Sequence, residues 1–186
     1  MAATVYPLVT VDDLESMPDD GNRYEVIEGE LFMSRAAGLT HQGVSGNLFY
    51  FFRSYLDAHP IGKALATPGI VFSDIDSVIP DIVFFTNERA ALIISGERLI
   101  AAPDLIVEIV SPGSENERRD RVAKRQLYGK FGVKEYWIVD PKQKTIEVII
   151  LRDGALTASV VFGEAQELTS GLLPGFRLKL TQVFAI

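Results

Sequence analysis

The spacing of apolar and polar positions changes several times along the chain, and each change marks an element. "LVTVDDLESM", residues 8–17, reads as a short helix with Thr10 as N-cap and Asp13 three residues on. "RYEVIEGELFMS" reads as a β-hairpin turning at Glu28-Gly29. Paired across that turn, Ile27 meets Glu30 and Val26 meets Leu31. One face then carries Tyr24, Val26, Leu31 and Met33 and is apolar. The other carries Glu25, Ile27, Glu30 and Phe32 and brings two carboxylates close together. In "HQGVSGNLFYFFRSYLDAH", Val44, Leu48, Phe51, Phe52 and Tyr55 recur at helical spacing, which predicts an amphipathic helix ending near His59-Pro60.

Strands are predicted next at "KALATPGIVFS" and "VIPDIVFFT", followed by a looser segment over 87–103 with a short helix and a loop. A strand centred on "LIVEIV" follows. "SPGSENE" is a turn and helix-start signal, with a helix from about Glu117 to Phe131 capped by Gly132. "KEYWIVDP" is a strand stopped by Asp140-Pro141, and "KTIEVIILRDGALTASVVFG" a hairpin turning at Asp153-Gly154. The C-terminal "LLPGFRLKL" and "TQVFAI" are expected to pack back on the sheet. This order predicts an α/β or α+β domain with a mixed central sheet.

Composition narrows the class. At 186 residues the chain can form one domain, 1–186, with a real core. Apolar residues make up 47%, yet no apolar run approaches the roughly 18 needed to span a bilayer. There is no basic segment followed by an apolar one at the N-terminus, and there are no cysteines. Both fit a cytoplasmic protein that does not engage a membrane. Two histidines, His41 and His59, make a His-rich metal site a poor expectation. A metal would be held mainly by carboxylates, which favours Mg²⁺ or Mn²⁺. The net charge of -7 argues against general coating of nucleic acid but leaves room for a local basic patch.

Three residues stand out against their surroundings. Glu108 lies inside the apolar run "LIVEIV", sharing a strand face with Ile106 and Val110, while Leu105, Val107 and Ile109 occupy the other face. Buried there, a carboxylate needs a partner; the plain alternative is a strand-end glutamate near solvent. Asp81 in "VIPDIVFF" repeats the pattern. Two such acids at one end of a sheet repel unless a cation lies between them, and a hard divalent ion resolves that conflict. Asp104, four residues before Glu108 and about 13 Å away in extended chain, reads as a strand-entry residue. Lys124 shares a helical stripe with Leu127, Tyr128 and Phe131, so it either reaches the acids or snorkels from the edge of the stripe. The stretch 118–134 holds Arg118, Arg119, Arg121, Lys124, Arg125, Lys130 and Lys134, the densest positive region. It is either a phosphate-facing patch or a solvated helix face.

Taken together these pieces resemble the Uma2 family of endonucleases, within the large PD-(D/E)XK nuclease-like superfamily. The matching segments are "YEVIEGEL", His41 opening a helix, "PDIVFF", "LIVEIVSPGS", the spacing of Asp120, Lys124 and Tyr128, and "GVKEYWIVDP", in family order over about 20 to 180. The resemblance implies a restriction-endonuclease-like fold: a mixed central sheet flanked by helices, an N-terminal hairpin and C-terminal antiparallel strands. It implies Asp81 as the acid of the PD motif and Glu108 as the acid of the (D/E)XK motif, both binding metal. Val110 stands where the superfamily has its lysine, and in this family the lysine comes from the next helix, matching Lys124. An upstream acid also joins such sites, here Glu25 or Glu30. His41 is expected to contact substrate or, more plainly, to serve as a helix cap or core residue.

The activity implied is Mg²⁺- or Mn²⁺-dependent hydrolysis of DNA phosphodiester bonds, catalysed through Asp81, Glu108, Lys124 and one of the two glutamates. The alternative is a catalytically inactive nuclease-like fold acting as a nucleic-acid-binding or regulatory module. A homodimer built on the exposed edge of the C-terminal hairpin or on the aromatic-rich helix at 48–55 is a further expectation.

Overall fold

The computed structural model describes residues 7–111, 113 and 118–186. The helix α1 (Val11–Leu14) leads into the hairpin β1 (Arg23–Ile27) and β2 (Glu30–Ser34). The long helix α2 (Leu39–Ala58) follows, then β3 (Gly62–Ala66), β4 (Ile70–Ser73), β5 (Asp76–Val78), β6 (Ile82–Thr86), α3 (Asn87–Ile93) and the short β7 (Ile94–Ser95) and β8 (Arg98–Leu99). The strand β9 (Leu105–Ile109) precedes a π-helical turn (Arg119–Ala123) that runs into α4 (Lys124–Lys130). The chain closes with β10 (Glu135–Asp140), β11 (Thr145–Arg152), β12 (Ala155–Gly163), β13 (Glu167–Leu168), β14 (Leu178–Lys179) and α5 (Leu180–Val183).

The central sheet has the order β12-β11-β10-β9-β6-β3 and is mixed: β9 and β10 run parallel, the other neighbours antiparallel. A second six-stranded sheet, β2-β1-β5-β4-β8-β7, carries the N-terminal hairpin. The second sheet exists because two predicted strands each break in two. "KALATPGIVFS" divides at Thr67, whose φ is 51°, and Pro68. "VIPDIVFFT" divides at Ile79-Pro80-Asp81. Proline has no N–H to give a ladder. In both cases one half joins the central sheet (β3, β6) and the other the second sheet (β4, β5).

Strand β9 sorts its side chains as its alternation predicts. Leu105, Val107 and Ile109 enter a core with Val44, Leu48, Phe52 and Leu56 of α2 and with Leu173, Phe176, Leu178 and Leu180 from the C-terminal segment, which packs back on this face as expected. Ile106 and Val110 enter the opposite core with Leu127, Tyr128, Tyr136 and Ile138. Both hairpin turns lie where predicted, each with two consecutive positive φ values, Glu28-Gly29 and Asp153-Gly154.

Two expectations change. The hairpin register is as predicted, Ile27↔Glu30 and Val26↔Leu31. The inward face, however, is the one bearing Glu25, Ile27 and Phe32; Leu31 and Met33 are 38% and 57% exposed, and only Val26 on their side is buried. The reason is electrostatic as much as apolar: Glu25 finds a buried cation inside. The helix predicted over 117–131 contains a π-helical segment over Arg119–Ala123, with a hydrogen bond from the Lys124 amide to the Arg119 carbonyl. The predicted turn and helix start over 111–117 lies largely outside the described residues. At the other end, Gly132 (φ 82°) leaves the helix as expected.

Candidate active site

The antiparallel register Ile82↔Val107, continued by one residue, brings Asp81 opposite Glu108. Asp81 lies in the Ile79–Asp81 linker that passes from one sheet to the other, and Glu108 is in the central sheet. Lys124, first residue of α4, is buried over them with Leu127 and Tyr128 as the helical stripe predicts. Its Nζ lies 2.8 Å from Oε1 of Glu108 and 2.8 Å from Oε1 of Glu25. Glu25 also accepts the Ile79 N–H at 2.8 Å. Thus one ammonium ties together the hairpin, β9 and α4.

Asp81, Glu108, Lys124 and Glu25 line a single cleft of about 380 Å³, together with Arg23, His41, Arg119 and Asp120. Glu30 does not join them: it is exposed at the hairpin turn and faces a neighbouring depression with Arg118 and Phe32. The hairpin twist and the burial of Glu25 separate the two glutamates that the flat register placed together. Asp104 also lies apart, at the start of β9. Its carboxylate accepts the Thr86 N–H at 2.9 Å and lies 2.7 Å from Lys134, as a strand-entry residue would.

The electrostatics follow from four carboxylates sharing a buried space. Burial pushes the Glu108 carboxyl up to about 8; Lys124 opposes this, while Asp81, Asp120 and Glu25 reinforce it. Burial also raises Asp120, against the pull of Lys124 and Arg119. Asp81 ends below the usual carboxylate range. Its burial acts upward, but the adjacent His41, the Ile109 amide and Lys124 outweigh that. Burial lowers Lys124, yet Glu108, Glu25 and Asp120 more than restore it, and it stays a cation. Arg119, with its Nε 3.0 Å from Asp120 and its Nη1 3.9 Å from Glu25, is held in its charged form in the same way.

His41 belongs to the cleft rather than to a cap. Its Nε2 lies 3.1 Å from Oδ2 of Asp81. Arg119 and Asp120 were not singled out for chemistry by the sequence pattern. The signal that existed was the four-residue spacing of Asp120, Lys124 and Tyr128, which sets all three on one side of the helix.

The basic run behaves differently from a patch. Besides the half-buried Arg119 and the buried Lys124, Arg121 pairs with Asp140 at 2.8 Å, Arg125 donates to the Leu156 carbonyl, Lys130 lies 3.5 Å from Asp76 and Lys134 pairs with Asp104. Among the described residues only Arg118 of this run has no such partner. Arg35, exposed and lining the cleft, is likewise in no ion pair with a described residue.

No group of three or more His, Cys, Asp or Glu side chains is arranged to hold a metal among the described residues. The two acids still suit a hard ion. The hydrogen bonds they accept fall on Oδ2 of Asp81 and Oε1 of Glu108, and the one further ion pair, from Arg23 to Oδ1 of Asp81, is long at 3.8 Å. Oδ1 and Oε2 take no hydrogen bond from a described residue. Mg²⁺ keeps several waters and is commonly bound through one or two carboxylates, so two such oxygens fit it.

The mixed central sheet with its flanking helices has a restriction-endonuclease-like fold, and it brings two acids and a lysine to one cleft. A family model described as "Putative restriction endonuclease" matches residues 11–181, and the chain belongs to this family, Uma2. Among solved structures, the fold is similar to the crystal structure of "a putative nuclease belonging to DUF820 from Anabaena variabilis", at 20% identity and a TM-score of 0.78, covering 95% of this chain and 98% of that one. No curated protein matches the chain. No helix among the described residues is long and apolar enough to cross a membrane.

Proposed function

We propose that the chain is a divalent-metal-dependent endonuclease that hydrolyses DNA phosphodiester bonds. The observation that carries this reading is the meeting of Asp81, Glu108 and Lys124 in one cleft, with one oxygen of each acid taking no hydrogen bond from a described residue. Asp81 and Glu108 would hold Mg²⁺ or Mn²⁺, which when bound supplies a Lewis acid and an acidified water. Lys124 offsets negative charge developing on the phosphate. Glu25 takes the place of the upstream acid by holding Lys124 in position. Arg35, exposed at the cleft and in no ion pair with a described residue, meets a phosphate in place of the internally neutralised basic run.

The test is supercoiled plasmid cleavage with Mg²⁺ or Mn²⁺, alongside metal-dependent thermal stabilisation. Wild type should cut and be stabilised. Asp81→Ala and Glu108→Ala should lose both, and Lys124→Ala should lose cutting. Metal-independent DNA binding without cleavage by wild type would instead support the inactive binding module.

Self-association belongs to the same reading, on one specific edge. The nine residues of β12, "ALTASVVFG", form an outer edge of the central sheet and carry no charge; Val160 and Val161 are 55% and 56% exposed. The opposite edge, β3, is five residues long and carries Lys63. An uncharged edge is where two copies of a chain with net charge -7 can approach and pair strand to strand. Sedimentation should show a dimer that Val160→Lys disrupts; a wild-type monomer at high concentration would exclude it.

A further inference from the structure

The two acids of the cleft are held in the same lopsided way. At Asp81, Oδ2 accepts the Ile109 N–H at 2.8 Å and lies 3.1 Å from His41 Nε2, whereas Oδ1 has Arg23 at 3.8 Å. At Glu108, Oε1 receives both the Lys124 ammonium at 2.8 Å and the Tyr128 hydroxyl at 2.6 Å, whereas Oε2 takes no hydrogen bond from a described residue. Donors gathered only to neutralise a carboxylate would be shared between its two oxygens. Here they crowd onto one.

Two side chains in this arrangement are costly unless they serve it. The Nδ1 of His41 is buried with no hydrogen-bond partner among the described residues, while Nε2 faces Asp81. Tyr128 is fully buried among Phe72, Leu127 and Tyr136, where phenylalanine would fill nearly the same space without a hydroxyl to satisfy. What the polar atom of each achieves is one contact, with a carboxylate of the cleft.

We propose that His41 and Tyr128 are positioning residues that pin one oxygen each of Asp81 and Glu108, so that Oδ1 and Oε2 form the pair presented to a divalent cation. The assignment rests on the nuclease reading above. It adds that the seat is made by side chains that never touch the ion. Without the Tyr128 hydroxyl, the Glu108 carboxylate is free to turn and offer both oxygens to Lys124. Without His41, Asp81 keeps the Ile109 amide alone and its plane is no longer fixed. Groups that orient metal-binding carboxylates in this way typically change metal affinity by about 10- to 100-fold when removed.

The experiment is calorimetric titration of Mn²⁺ into the full chain at fixed pH, for wild type, Tyr128→Phe, His41→Ala, His41→Gln and Asp81→Asn. Unfolding midpoints from Trp137 fluorescence establish that each variant is folded. Tyr128→Phe and His41→Ala should bind Mn²⁺ about 10- to 100-fold more weakly than wild type while remaining folded. His41→Gln, which keeps a donor near the Nε2 position, should recover most of the loss. Asp81→Asn should bind least. If wild type binds Mn²⁺ and the Tyr128→Phe and His41→Ala proteins bind it equally well, the positioning role falls and the nuclease reading stands. If wild type binds no Mn²⁺, the metal-dependent reading falls and takes this assignment with it. Should one variant fail to fold, the other still decides, because the two residues pin different acids.

Discussion

Glu108 offers the sharpest test of the site's electrostatics. With its carboxyl moved from the ordinary 4.5 to about 8, the folded chain keeps a proton that the unfolded chain has already released between those two values. Stability must therefore fall as pH rises through that window, because deprotonation favours the unfolded state. One pH unit of separation is worth about 1.4 kcal/mol. The contribution of this one group thus falls by roughly 3 to 4 kcal/mol between about pH 5 and pH 8, a large share of the ~5–15 kcal/mol typical of a domain. Glu108→Gln keeps an acceptor for Lys124 and Tyr128 but removes the titration. The assay is urea unfolding followed by the fluorescence of Trp137, the chain's only tryptophan, which is fully buried beside the site's own strand. Wild type should lose several kcal/mol relative to Glu108→Gln across this range, and the two should converge at low pH. Parallel stability curves for the two proteins would refute the reasoning, since Glu108 would then titrate alike in both states.

Other consequences can be checked with the same material. Lys124→Met should lose plasmid cleavage by about 100-fold or more, and should cost about 3–5 kcal/mol at neutral pH by leaving Glu25 buried without its ammonium. Asp104→Ala, at the far end of β9, should cost about 1–3 kcal/mol by removing the acceptor of the Thr86 N–H, with metal affinity untouched. Burial raises the Asp104 carboxyl but Lys134 and Thr86 lower it further, so this deficit is present above the usual carboxylate range and should shrink as pH falls through it. Arg35→Ala should weaken DNA binding at all sequences and reduce its salt dependence, read by fluorescence anisotropy against NaCl, with the folded stability unchanged.

Much of this architecture was legible in the sequence, because local rules govern it. The alternation of β9, the stripe of α2 and the two hairpin turns each follow from neighbours a few residues apart. So did the inward Lys124, since its spacing from Leu127 and Tyr128 is intact within α4. The second sheet was not legible. "KALATPGIVFS" and "VIPDIVFFT" each read as one mostly apolar strand, and nothing in the pattern says that a chain crossing Pro68 or Pro80 changes sheets. Nor was the fate of the basic run. Its charges look outward on a wheel, but Asp76, Asp104, Asp140 and Glu147 come from four other segments to meet them.

The same kind of distant pairing explains the lysine that is missing from the strand. Val110 occupies the position two residues after Glu108, on the same strand face, and is buried in the core that α4 covers. A lysine there would send its charge under the helix. Supplied from α4 instead, the ammonium arrives above Glu108 and can reach Glu25 of the second sheet as well. The exchange makes the site depend on three elements docking at once: no single one of them sets Glu25, Glu108 and Lys124 within hydrogen-bond reach. Hence the hairpin turns its Glu25 face inward, leaving Leu31 and Met33 to solvent, a choice its own apolar pattern opposed. Local preference yields there because Glu25 and Lys124, both buried, lie 2.8 Å apart, and separating them would weaken the compensation of two buried charges, which costs more than two exposed apolar side chains.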